Sequence, residues 1–391
     1  MTYYIRFSLA LFFLLLLQSS CRQDIVVWPP EQEEGVGETV TTDTIRGFYL
    51  LNEGNMGSNK STLDFYDYAT ATYTRNIYSS ANPSAVKELG DVGNDLKIYG
   101  TRLWAVINCS NKIEVMDART ARRIGQVDLA NPRHICFNEG YAYITSYAGP
   151  VQINPTYEQL GMVVKIDTAT LEKVDTCLVG FQPDGIDLSG GRLYVANSGG
   201  YMYPNYENTL SVISIVTFQE ERRISVAINL NHVVADRYGQ VWVSSRGNYY
   251  GHPSSLYCLS YLEGEPLIER IYTTEGNDLV TRNMALCGDS LYIIGNEFSY
   301  STYQSVQNYA IVNTATKQVV TTNFITDGTE LDIMEAYGIA VHPVSGEILI
   351  GDARSHVNPG TLFCFSPQGQ LLWKVRTGDI PAHFAFLGGE R

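Results

Sequence analysis

One short pattern limits what this chain can fold into. Residues 183–186 read Pro-Asp-Gly-Ile, and residues 190–197 read Gly-Gly-Arg-Leu-Tyr-Val-Ala-Asn. That is a short apolar strand, a tight glycine turn, a second strand and the start of a polar loop. The second strand recurs at Phe48 to Asn52, Leu103 to Val106, Ala142 to Thr145, Leu193 to Ala196, Val241 to Ser244, Leu291 to Ile294 and Ile348 to Gly351. Its aligned positions are Tyr49, Trp104, Tyr143, Tyr194, Trp242, Tyr292 and Leu349, separated by 39 to 57 residues. Such intervals match a four-stranded propeller blade.

The flanking strands repeat as well. Openers stand at Asp95 to Ile98, His134 to Phe137, Gly185 to Leu188, His232 to Ala235, Asn283 to Leu286 and Gly338 to Val341. A third strand ends near an acid or polar residue, as at Asp67, Asp117 and Asp167, where aspartate caps a turn. The first repeat lacks an opener, and His383-Phe384-Ala385-Phe386 supplies one from the chain end. The sequence therefore predicts an all-β, seven-bladed β-propeller, its ring closed by the C-terminal strand pairing in the first blade. Closure removes a free sheet edge. A sandwich or two β domains would not need the spare strand.

Residues 1–20 read as a lipoprotein signal peptide: Arg6, a short apolar run, then Leu17-Gln18-Ser19-Ser20 before Cys21. Cys21 is the expected lipidation site and hence a membrane anchor. Residues 21–43 read as a lipidated acidic tether, because proline, glycine and acids without periodicity bury no core. Residues 44–391 are the propeller. Of seven cysteines, Cys109, Cys136, Cys177, Cys258, Cys287 and Cys364 form no C-x-x-C pair and most lie in or beside apolar runs, which favours buried thiols over zinc ligands or disulfides. The net charge of −14 repels phosphate backbones, which argues against nucleic acid as a partner.

Strand direction locates the candidate site. The first strand of each blade crosses the disc and the second returns, so residues that open the first share a face with the loop after the second. The loops on that face are unequal. Residues 198–206, 246–252 and 296–303 combine tyrosine with Asn, Ser and Gly, the composition of a recognition surface. The candidate ligand-binding residues are Asp184, Asn197, Tyr201, Tyr203, His232, Arg246, Asn248, Tyr249, Tyr250, Glu297, Tyr300 and His134. His134, His232 and His383 hold equivalent positions. Placement in alternate blades is expected to keep them apart, each bonded within its own blade, and no metal site is predicted. There is no G-x-S-x-G, H-E-x-x-H, Walker A or dinucleotide fingerprint, so no catalytic residue is assigned.

Residues 191–197 (Gly-Arg-Leu-Tyr-Val-Ala-Asn) and 163–170 (Val-Val-Lys-Ile-Asp-Thr-Ala-Thr) resemble the YncE-like, surface-layer type of seven-bladed propeller. The run Tyr49-Leu50-Leu51-Asn52-Glu53-Gly54-Asn55, after a lipobox and an acidic tether, resembles the Bacteroidetes lipoprotein branch of that family. The resemblance spans residues 45–391. It implies an outer-membrane lipoprotein facing the cell exterior, which captures cobalamin or another corrinoid as ligand rather than cofactor. It also implies a partner, a TonB-dependent transporter that takes delivery. The other classes open to the sequence are a propeller lactonase, a glycan-active hydrolase or lyase, and a structural or adhesion module.

Overall fold

The computed structural model describes residues 32–40, 44–85, 89–248, 250–299 and 303–388. Glu33–Arg391 forms one compact unit. Among the described residues it comprises seven antiparallel sheets, six of them four-stranded. Every predicted repeat is a blade. The innermost strand of blade 1 is Pro381–Gly388, which pairs with Ile45–Asn52 in the register Phe48↔Phe386 and Leu50↔Phe384. The ring is closed from the chain end, as the sequence requires.

Why these strands repeat is visible in their burial. Arg102–Ile107 is buried at every position after the first, so both faces of the sheet are covered. Alternate side chains point to opposite faces. Tyr49 and Leu51 pack toward blade 2 with Leu96, Leu103 and Ala105. Phe48 and Leu50 pack toward blade 7 with Leu349, Leu362 and Val375. Seven such apolar clusters fill the seven blade interfaces. Each second strand is therefore a nearly continuous apolar run. Asp67, Asp117 and Asp167 cap the turns after the third strands, each accepting the backbone N–H groups of the residues two and three positions further on. The six cysteines after Cys21 form no disulfide.

Part of the tether is ordered against the disc. Gln32–Gly35 is a fifth strand on the outer edge of blade 1, although its side chains are exposed. Apolar content is not what places it there. The outermost strand of a blade offers unpaired backbone groups, and an acidic segment with no core to bury can still pair with them. Cys21 lies outside the described residues.

Candidate functional site

The blades can be superposed by register. Phe384, Leu96, Ile135, Ile186, Val233, Met284 and Ile339 each pair with the residue that follows the aromatic or leucine position of the second strand. One residue upstream lie His383, Asp95, His134, Gly185, His232, Asn283 and Gly338. Two upstream lie Ala382, Asn94, Arg133, Asp184, Asn231, Arg282 and Tyr337. These are two stacked rings around the central axis, and they organise the site.

The upper ring, with Glu53 and Arg246 from the loops, floors a polar cup of about 210 Å³. Asp184 is fully buried beneath it and joins two guanidiniums: Arg133 Nε donates at 2.9 Å and Arg246 Nη1 at 2.7 Å. Burial alone would raise the Asp184 carboxyl, but Arg133 and Arg246 outweigh it and hold it well below the usual carboxylate range. Arg282 pairs with Glu335 at 2.7 Å and lies over the Tyr337 ring. Arg133 lies over Tyr147. Glu53 takes a hydrogen bond from Tyr337, yet burial pushes its carboxyl up toward the neutral form.

The lower ring is a waist. His134, His232, Asn283 and His383 line both the cup and a second chamber of about 660 Å³ on the other side of them. The histidines do not stay apart as the sequence reading expected. His134 is 5.6 Å from His232 and 6.4 Å from His383 between ring centroids. The inner strands converge on the axis, so alternate blades meet there. Two positions of this ring are glycine, and at Gly185 a Cβ would overlap the Asn231 carbonyl oxygen and the Val233 nitrogen of the next blade. His134 also turns Nδ1 toward Asp95 Oδ2 at 3.4 Å. Burial lowers His383 to about 3 and takes His232 well below the ordinary imidazole value. Among the described residues no three His, Cys, Asp or Glu side chains are grouped to hold a metal ion.

The predicted residues separate into three groups. His134, His232, Arg246 and Glu297 line the cup. Glu297 accepts the Ser254 N–H, and burial raises its carboxyl. Tyr201 stands beside the cup against Tyr147, while Tyr203 and Tyr250 meet at the rim, 6.3 Å apart and about half exposed. The remaining described residues serve the scaffold. Asp184 is the counterion just named. Asn197 is fully buried, donating to Thr209 and Ser211 and accepting from Gly180 N–H. Asn248 Oδ1 accepts the N–H groups of Tyr250, Gly251 and His252 and so shapes its own loop. Tyr249 and Tyr300 lie outside the described residues. The sequence reading did not select Glu53, Asn94, Arg133, Asn231, Arg282 or Tyr337. All but Glu53 open inner strands, so their signal was the repeat register rather than loop composition.

A family profile matches residues 46–372, over four-fifths of the chain. The chain belongs to the family described as Domain of unknown function (DUF5074). No curated protein matches the sequence. Among solved structures, a quinonprotein alcohol dehydrogenase-like protein from Bacteroides thetaiotaomicron is similar at TM-score 0.58 and 14% identity, over 87% of this chain and 78% of that one. A hypothetical selenium-binding protein from Sulfolobus tokodaii is similar at TM-score 0.58 and 11% identity, over 89% and 95%. The β-propeller domain of Cps50 (Swd1) from Myceliophteria thermophila is similar at TM-score 0.50 and 12% identity, over 82% and 96%. At these identities the likeness establishes the propeller fold of this DUF5074 chain and nothing about its ligand.

Proposed function

We propose that this DUF5074 propeller is a lipid-anchored outer-membrane protein, exposed at the cell surface. On this reading it binds cobalamin or a related corrinoid at the cup face and passes it to a TonB-dependent transporter. The observation that carries the reading is the pairing of a small polar cup with an aromatic rim on the same face. At about 210 Å³ the cup is smaller than the roughly 300–1,000 Å³ that encloses a whole drug-sized ligand. A broad ligand therefore lies across the rim and sends only an arm into the floor.

A corrinoid has that shape, a flat ring fringed with carboxamides. Tyr203 and Tyr250 offer the ring apolar contact. The guanidiniums and amides below offer both donors and acceptors. Exposed apolar side chains stand on loops of the same face in six blades: Met56, Ile153, Tyr203, Tyr250, Tyr303 and Val357. Such a rim suits docking on a transporter once the ligand is seated. The resemblance of residues 45–391 to the corrinoid-capturing lipoproteins, BtuG among them, adds to the same reading.

Calorimetric titration of cyanocobalamin into residues 22–391 tests it. Saturable one-to-one heat with a raised melting temperature is expected. No heat and no shift in melting temperature would overturn the corrinoid reading.

A further inference from the structure

The cup floor holds polar atoms that the fold leaves unmet. Asn94 and Asn231 belong to the upper ring, and each is more than nine-tenths buried. Each spends its amide N–H on the next blade: Asn94 Nδ2 donates to the Arg133 carbonyl at 3.2 Å, and Asn231 Nδ2 to the Arg282 carbonyl at 3.3 Å. Those bonds fix which way the amides face. The oxygens, Asn94 Oδ1 and Asn231 Oδ1, are then left without a hydrogen-bond partner, and so is Glu53 Oε2. All three residues line the one cavity.

An unmet buried acceptor is costly, and native folds keep few of them away from sites. Asn283 shows that the fold can do otherwise. It bridges to the next blade in the same way, through Nδ2 to the Tyr337 carbonyl, but its Oδ1 accepts the Met284 N–H at 2.8 Å. The open oxygens of Asn94 and Asn231 are therefore not a by-product of the bridge.

The cations nearby carry their own counterions. Arg133 and Arg246 share Asp184, and Arg282 has Glu335. A guanidinium has five N–H donors, and an ion pair engages only some of them. Arg133 pairs through Nε and Arg282 through Nη1, so the floor presents donors whose charge is already offset. Open acceptors beside charge-balanced donors select a neutral group that both gives and takes hydrogen bonds.

We propose that the cup floor is a subsite for a primary carboxamide arm of the ligand. Its two N–H groups meet the open oxygens of Asn94 and Asn231, and its carbonyl oxygen accepts from Arg133 or Arg282. This rests on the reading of the cup as a ligand site and names the group that enters it. A carboxylate brings no donors and leaves the oxygens unmet. An ester or a dialkyl amide fails in the same way while staying neutral.

Saturation-transfer NMR on residues 22–391 with propionamide, N,N-dimethylpropionamide and propionate separates these cases. Propionamide is expected to bind, to be displaced by cyanocobalamin, and to exceed both analogues by roughly tenfold in affinity, one hydrogen bond's worth. Asn94→Ala and Asn231→Ala are each expected to weaken it by a similar factor. The analogue series needs no variant, so a misfolded mutant does not blunt the test. Propionate binding as well as propionamide, equal binding of the dimethyl amide, or no propionamide contact would each overturn the proposal. If propionamide binds as described and cyanocobalamin does not, the subsite stands and the corrinoid reading falls.

Discussion

At the residue scale, the cup depends on one buried carboxylate. Asp184 holds Arg133 and Arg246 in place with no exposure of its own. Asp184→Asn leaves two guanidiniums facing a neutral amide. Removing one partner of a buried ion pair costs about 3–5 kcal/mol, and denaturant unfolding should read a loss of that order. The waist histidines give the second expectation. His383 stays neutral in the folded protein down to about pH 3, because burial disfavours its charged form, whereas in the unfolded chain it takes up a proton near pH 6.5. The unfolded state therefore binds more protons between those values, and stability falls as pH drops from about 6.5 toward 3. The contribution is at most about 1.4 kcal/mol per pH unit. His383→Gln should flatten the decline measured by unfolding midpoints at pH 7 and pH 5, and an unchanged slope would count against a neutral His383.

At the element scale, scaffold and site were legible in the sequence to different degrees. The second strands stood out because each is buried on both faces, and double burial writes the same apolar run seven times. Asp184 and Asn197 end the clearest copy of the repeat and share its face, but both serve the scaffold. Asn197 ends a strand that pairs on both sides, so its amide is consumed within the blade. The cup-lining residues were spelled out at the first positions of the inner strands. Tyrosine-rich loops drew attention away from them, since loops do not repeat and their composition says nothing about depth. The distance between His134 and His232 was not legible, because convergence of strands on an axis is a property of the closed ring. The rim loops carry their own expectation. Tyr203 and Tyr250 are about half exposed, so Tyr203→Ala with Tyr250→Ala should leave the melting temperature within a few degrees of the parent. Calorimetry should show cyanocobalamin affinity falling at least tenfold; unchanged affinity would remove the rim from the site.

At the scale of the whole molecule, the ring is what turns scattered residues into a cup. Every blade except the first contributes a polar upper-ring side chain, and blade 1 contributes Ala382 there and Glu53 from its loop. No pair of these residues is close in the sequence apart from neighbours within one blade, yet closure by Pro381–Gly388 gathers them around one axis. The acidic strand Gln32–Gly35 lies on the outer edge of that same first blade, at the opposite side of the sheet from the inner strand Pro381–Gly388. The most direct measurement is a crystal structure of residues 22–391 grown with cyanocobalamin. The corrin ring is expected across Tyr203 and Tyr250, with one carboxamide arm in the cup against Asn94 and Asn231. A corrinoid bound in the lower chamber or on the outer wall of a blade, with the cup unfilled, would contradict that placement.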